Sequence, residues 1–331
     1  MLKIEVMNKI DKVFVTGASG HLGRKLIPEM IKRGYRIKAQ FRSQEKADKY
    51  CPEGIEQAFG DLTRPGWLNS AMMDCDQVIH CAAYVKVQPL SDKDTATMRA
   101  VNVEGTRYVV ESCRKAGIKR LLYISTIGAV GASTDDTPIT EEAAFNIGGY
   151  DIPYFDTKYE AEQIVLEAAN DLEIVIVNPS IIVSLPDKDR LRKKRRKLPR
   201  WLPAYFDFGL NLVDSRDVIE GAISALEKGH SGHRYLLTGD NLNPESAFAI
   251  TRQYFGIGKP LIKLPYIFIY ALGFLTEIYY RFKGKAPKFN RNFARLAKFK
   301  FYYDCTKAKT ELGYNPRSFE ETIKEIITYL Q

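Results

Sequence analysis

The fold turns on the stretch Lys12-Val13-Phe14-Val15-Thr16-Gly17-Ala18-Ser19-Gly20-His21-Leu22-Gly23. An apolar run rich in valine ends in glycines at 17, 20 and 23. Apolar residues at helical spacing follow at Leu22, Leu26, Ile27 and Met30, and Gly34 stops the pattern. The local reading is strand, tight turn, helix. Glycines there let backbone N–H groups approach an anion at the helix N-terminus, and Gly23 lets the helix pack closely on the strand. The spacing is G-x-x-G-x-x-G, which differs from the commoner G-x-G-x-x-G of dinucleotide sites. Gly17, Ser19, Gly20, His21, Leu22 and Gly23 are thus the expected pyrophosphate cradle.

Outward from this turn, short β-rich runs alternate with helical patterns. Strands are expected at Tyr35–Phe41, Ile55–Phe59, Gln77–Cys81, Arg120–Ser125 and Glu173–Asn178. A single long helix is expected from about Asp92 to Ala116, and another over Tyr154–Ala169. The alternation implies an α/β protein with a doubly wound parallel sheet. After Pro179 the pattern changes to loops, prolines and a dense basic run. A helix near Ser215–Lys228 and a strand at Arg234–Thr238 come next. Residues 1–180 read as the nucleotide-binding part and 181–331 as mostly a smaller substrate-binding lobe, with about 205–240 returning to the main sheet.

The chain has 331 residues, 45% apolar and 27% charged, with a formal net charge of +9. That length and composition exclude a disordered chain, a disulfide mini-protein and a fibrous repeat. The five cysteines are widely spaced and include no C-x-x-C pair, so neither a disulfide framework nor a metal site is expected. No apolar signal segment opens the sequence, which reads as cytoplasmic.

At the end of the second strand, where an NAD site usually carries an acid for the ribose, the sequence is Phe41-Arg42-Ser43. A guanidinium suits a 2′-phosphate, so Arg42, with charge added by Lys46, favours NADP(H) over NAD(H). The competing reading of Arg42 is a solvated loop charge. Asp61-Leu62 follows the third strand, where the carboxylate would reach the adenine amino group or cap a helix. Cys81-Ala82-Ala83 follows the fourth, small enough for a cofactor to lie against backbone.

Tyr154 and Lys158 are four apart in Pro-Tyr-Phe-Asp-Thr-Lys and share a helix face. An ammonium beside a phenol lowers the phenol's pKa, and such a tyrosine exchanges the proton of a carbinol while a nicotinamide exchanges hydride. Thr126, just after the fifth strand, supplies a hydroxyl to orient a substrate oxygen; Ser125 competes for that role, and either hydroxyl could instead satisfy loop backbone.

Together these motifs resemble the extended short-chain dehydrogenase/reductase superfamily, the NAD-dependent epimerase/dehydratase family. The matching segments are TGASGHLG at 16–23, GDL at 60–62, HCAA at 80–83, NVEGT at 102–106, ISTIGAVG at 124–131, YFDTK at 154–158 and NPS at 178–180. The resemblance implies a Rossmann-type doubly wound sheet with a smaller C-terminal lobe. It implies a Thr126–Tyr154–Lys158 triad, with Lys158 also on the nicotinamide ribose. Thr126 is favoured over Ser125 because it lies five residues before Gly131, as the family's catalytic hydroxyl does before its glycine. Asn102 would hold a long helix against its neighbouring strand, and Pro179 and Ser180 would line the nicotinamide. Ile127-Gly128 stands where sugar dehydratases carry Asp-Glu. Segments NPSIIV, FGLNLVDSRDVIEGAISALEKG and HRYLLTGDNL look most like the dihydroflavonol-4-reductase and 3β-hydroxysteroid dehydrogenase-like branch, although Leu185-Pro186 replaces that branch's Gly-Pro. The resemblance implies a reductase or dehydrogenase; the alternatives are a nucleotide-sugar epimerase with retained NAD and a non-catalytic cofactor-binding regulatory protein.

Two segments stand outside this pattern. Lys188–Arg200 holds nine basic residues against one acidic. It reads as a solvated loop or as a site for an anionic lipid or phosphate; no nucleic-acid module accompanies it. Leu264–Tyr280 is aromatic and apolar, too short to span a bilayer, and followed by Arg281, Lys283, Lys285 and Lys288. It reads as an interfacial helix, or as a core helix or homodimer contact. The two together favour an apolar or lipid-like small-molecule substrate and peripheral membrane contact through 188–200 and 264–288.

Overall fold

The computed structural model describes residues 11–185, 204–255, 262–287 and 289–330. The basic run 188–200 and Lys288 lie outside the described residues.

The opening stretch folds as read: β1 (Lys12–Thr16) runs through the turn into α1 (Gly23–Lys32). β2 (Arg36–Phe41), β3 (Glu56–Phe59), β4 (Gln77–His80), β5 (Arg120–Ile124), β6 (Glu173–Pro179) and a strand at His233–Leu237 complete a seven-stranded sheet. Its order, from one edge, is His233–Leu237, β6, β5, β4, β1, β2, β3, and every pairing is parallel. Parallel strands need crossovers, and helices cover both faces, so the strands are apolar along their whole length. Val13 and Val15 of β1 enter one core with Leu26 and Ile27 of α1, while Phe14 between them enters the other with Val109 and Cys113. Each fully buried side chain of this kind contributes about 1.5–3 kcal/mol.

Chain order reverses between β1 and β4. The helices leaving their carboxyl ends depart to opposite sides and open a crevice there. After α2 (Gln44–Tyr50) and α3 (Leu68–Met72), the expected single helix from Asp92 to Ala116 is instead α4 (Asp92–Arg99), a π-helical turn at Ala100–Glu104 and α5 (Gly105–Ala116). The extra residue in that turn leaves no trace in apolar spacing, because both helices keep their inward faces. The helix read from Tyr154 begins one residue earlier, as α6 (Pro153–Glu167), with proline in its first turn.

Beyond β6 the chain adds β7 (Ile181–Val183), β8 (Ala204–Phe206), β9 (Leu210–Asp214) and α7 (Ser215–Lys228), then β10, the edge strand His233–Leu237, and β11 (Asp240–Leu242). β7, β9 and β11 form a small sheet. α8 (Pro244–Phe255), β12 (Ile262–Leu264), α9 (Tyr266–Phe282), α10 (Arg291–Arg295), α11 (Thr306–Leu312) and α12 (Phe319–Leu330) follow, and β12 pairs with β8.

α9 is the aromatic segment, and it is not a core helix. Only Ile269 and Gly273 are buried along it. Thr276 Oγ1 donates to Phe289 O at 2.6 Å, and Glu277 accepts from the backbone and guanidinium of Arg291, which fixes that inner face on α10. Among the described residues, no helix is long and apolar enough to cross a membrane.

Candidate active site

Gly17 has φ +71°, and a Cβ there would lie 2.7 Å from the backbone N and Cα of Ala82. Only glycine lets the β1 turn press so closely on the segment after β4. A Cβ on Gly23 would lie 2.4 Å from Gly17 O, so α1 is packed hard under the same turn. Gln40, near the end of β2, completes the corner: its Oε1 accepts from Gly17 N at 3.0 Å and its Nε2 donates to Gly60 O at 2.7 Å.

A cavity of about 800 Å³ opens along these strand ends. Gly17, Ser19, Gly20, His21 and Leu22 line it from the first turn, and Arg42 from the end of β2. Asp61, Leu62, Cys81, Ala82 and Ala83 continue the wall. Thr126, Tyr154, Lys158, Pro179 and Ser180 close its far end. Three residues named from sequence do not line it: Gly23 lies beneath the turn, Lys46 stacks over the Tyr50 ring, and Asn102 stands behind the wall. Asn102 is buried, accepts from Tyr84 N at 2.7 Å and donates to Tyr84 O and Thr157 Oγ1, so it ties the segment after β4 to α6.

Asp61 accepts from both the backbone N–H and the hydroxyl of Thr63 at 2.9 Å. The Thr63 backbone bond, its hydroxyl and the nearby Arg42 and Arg64 charges hold the carboxyl below its usual range. Ser180 Oγ is buried and has no hydrogen-bond partner among the described residues, although it faces the cavity. An orphaned hydroxyl and a glycine corner with no room for a Cβ both suit a bound polar cofactor.

The end of the cavity at Tyr154 and Lys158 departs from the sequence expectation. Lys158 Nζ donates to Tyr123 Oη at 2.7 Å and to Ile124 O at 2.8 Å. Four-residue spacing sets the helix face, whereas the direction of the ammonium is set by these two acceptors. Burial pulls the Lys158 pKa down to about 7, opposed by the charge of Glu162. The Tyr154 phenol is not lowered: burial pushes it up to about 12, opposed by a hydrogen bond with Thr126. Thr126 also caps the turn after β5, accepting from Gly128 N at 3.3 Å, so one of its alternative roles is present as well.

His80, first residue of the segment HCAA, sits at the centre of a buried chain. Thr106 Oγ1 donates to Asn102 O at 2.6 Å, so it must accept from His80 Nε2–H at 3.0 Å. His80 Nδ1 is then an acceptor, and Thr16 Oγ1 donates to it at 2.7 Å while accepting from the N–H groups of Cys81 and Ala82. Every polarity agrees with a neutral imidazole, and burial holds its pKa down to about 3.

The NAD dependent epimerase/dehydratase family model matches residues 13–237. The chain belongs to that family, within the extended short-chain dehydrogenase/reductase superfamily. It is 29% identical over 332 residues to the sterol demethylase protein B of Methylococcus capsulatus, covering 96% of this chain and 97% of that one. It is 30% identical over 322 residues, 92% of each chain, to the 4-hydroxy-2-methyl-3-oxo-4-farnesyl-3,4-dihydroquinoline-1-oxide ketoreductase of Stigmatella aurantiaca. The crystal structure of gox2253 superposes with a TM-score of 0.80 at 31% identity, covering 97% and 98% of the two chains. The family is NAD-dependent, and oxidoreductases are among its relatives.

The buried His80 makes the stability of the fold depend on pH. A free imidazole titrates near 6.5 and the buried one near 3, so acid favours the unfolded chain. Stability present above pH 6.5 is lost as pH falls, by about 1.4 kcal/mol per unit below it. Urea unfolding of the parent and of His80→Asn at pH 7 and pH 5 is expected to show the parent losing about 2 kcal/mol more than the variant. Parallel losses would contradict it.

Proposed function

We propose that this chain is an NADP(H)-preferring reductase/dehydrogenase acting on a ketone or secondary alcohol of an apolar, lipid-like substrate. One observation carries the reading. The Tyr154 phenol and Thr126 hydroxyl face a cavity whose wall also carries Val85, Val87, Phe208, Leu210, Phe293 and Phe301. The relative named as a ketoreductase, with a farnesyl group in its substrate's name, supports it.

The cofactor, when bound, supplies or accepts hydride at the nicotinamide. The protein's part is binding and proton control. The glycine turn and the orphaned Ser180 hydroxyl suit the cofactor's polar groups, and Arg42 suits a 2′-phosphate. A phenol held protonated by burial is a general acid: Tyr154 gives its proton to the carbonyl oxygen during reduction. Thr126 orients that oxygen by hydrogen bonding. The Lys158 ammonium, fixed by Tyr123 and Ile124, offsets the negative charge that develops on the phenol. In the reverse direction the same phenol returns to its protonated form.

α9 supports delivery of the substrate from a lipid surface. Phe268, Leu272, Leu275, Tyr279 and Phe282 form one exposed stripe, with Phe282 88% and Leu275 61% exposed. The exposed cations Arg281 and Lys283 and, further on, Lys285 follow at its end. The opposite face carries Ile269, which lines the cavity. Apolar stripe, flanking cations and adjacent cavity are the pattern of an interfacial helix.

Three measurements test these readings. Tyr154→Phe is expected to lower kcat at least about a hundredfold across a panel of ketones followed by nicotinamide absorbance, while retaining cofactor binding. Activity that survives removes Tyr154 as the acid. Arg42→Asp is expected to move the NADP(H)-to-NAD(H) affinity ratio at least about tenfold toward NAD(H), and an unmoved ratio removes the NADP assignment. The parent is expected to sediment with phosphatidylglycerol vesicles and the Leu272→Glu, Leu275→Glu double variant to stay in solution; a parent that does not sediment removes the membrane reading.

A further inference from the structure

Tyr154, Lys158 and Glu162 fall four residues apart on one face of α6. The first two belong to the reading above. Glu162 belongs to no motif, yet its side chain is 0% exposed.

Its partners explain how a carboxylate survives there. Oε1 accepts from the Arg234 guanidinium of β10 at 3.1 Å, and Oε2 accepts from Asn178 Nδ2 at 2.8 Å. Both oxygens face N–H donors, the arrangement of an ionised group. Burial nonetheless pushes its pKa up, and Ser125, Arg234, Asn178 and Lys158 oppose that push. The second N–H of the Asn178 amide donates to Thr126 O at 3.0 Å. A single carboxylate is therefore bonded through one amide to the backbone of Thr126, and lies one helical turn beyond Lys158.

We propose that Glu162 is a positioning residue that keeps Lys158 an ammonium and, through Asn178, holds Thr126 in place beside Tyr154. This rests on the reading of Lys158 as the cation that serves Tyr154.

The surrounding groups make Glu162 the deciding charge. Tyr154 shares its helix, Tyr123 faces Lys158 from β5, and His80 and Cys81 face it from the end of β4. Burial keeps all four neutral at pH 7: His80 titrates near 3, Cys81 near 11, Tyr154 near 12, and Tyr123 well above its usual value. The charges that remain are Lys158, Glu162 and Arg234, which is 22% exposed. Lys158 bonds to a neutral phenol and a carbonyl, so Glu162 is the anion that opposes its desolvation.

The test reads the Lys158 proton directly, with no substrate. The carbon-13 shift of Lys Cε in lysine-labelled protein is followed against pH and assigned by its loss in Lys158→Met. In Glu162→Gln the midpoint is expected to fall by at least one pH unit from its parent value, a tenfold weaker hold on the proton. An unmoved midpoint overturns the proposal, whether or not the chain reduces a ketone. Coupling is reciprocal, so a Glu162→Gln chain that fails to fold leaves a second readout. In Lys158→Met the Glu162 carboxyl midpoint, followed by carbon-13 glutamate, is expected to rise by at least one unit, and a constant value there overturns the proposal equally.

Discussion

The hydrogen-bond chain from Thr16 through His80, Thr106 and Asn102 to Thr157 is the interaction on which the rest of the site depends. It joins the end of β1, the end of β4, the π-helical turn with α5, and α6. These are the elements that bound the crevice, and helix packing alone would leave their relative rotation loose. Thr16 Oγ1 donates to one His80 nitrogen and Thr106 Oγ1, whose own proton goes to Asn102 O, accepts from the other, so the polarity is fixed and a neutral imidazole is required at its centre. The glycine turn and α6 are thereby held against each other by one polar thread inside an otherwise apolar core.

The two ends of the cavity differ in what lines them. Toward the first turn, backbone N–H groups, Gln40, Arg42 and Asp61 offer polar contacts. Toward α6, the chain supplies the hydroxyls of Ser125, Thr126, Tyr154 and Ser180 and the Lys158 ammonium, and the lobe after β6 covers them with phenylalanine and aliphatic side chains. Tyr154 and Lys158 are buried there, and desolvation of the ammonium is the cost. Glu162, one turn further along the same face of α6 and paired with Arg234, offsets part of it.

Much of this was legible in the sequence because it is local. The valine run of β1, the glycines and the alternation of strands with helices follow from spacing and turn chemistry. All seven strands of the main sheet lie within a residue or two of their expected limits, and sixteen of the named residues meet around the cavity. What was illegible depends on long-range contact. Spacing put Lys158 on the face of Tyr154 but could not aim its ammonium, which follows Tyr123, thirty-five residues earlier in the chain. Gln40 alternates with Arg36 and Lys38 along β2, so spacing does not single it out as the buried one. Glu162 carries a readable cue, a charge one turn beyond Lys158 in a buried stretch. The apolar wall from Phe208, Phe293 and Phe301 joins segments that share no local pattern.

The π-helical turn at Ala100–Glu104 carries one residue more than an α-helix would need. Shortening it by one residue would straighten the helix, yet every side chain beyond would swing by about 100° around the axis. Val109, Val110 and Cys113 would leave the core, and Thr106 would turn away from His80. The helix thus works as a phase shifter: α4 and α5 each meet their own neighbours because the bulge sets the angle between them. Length variation in this family member is tolerable in the surface loops and closed off at this turn.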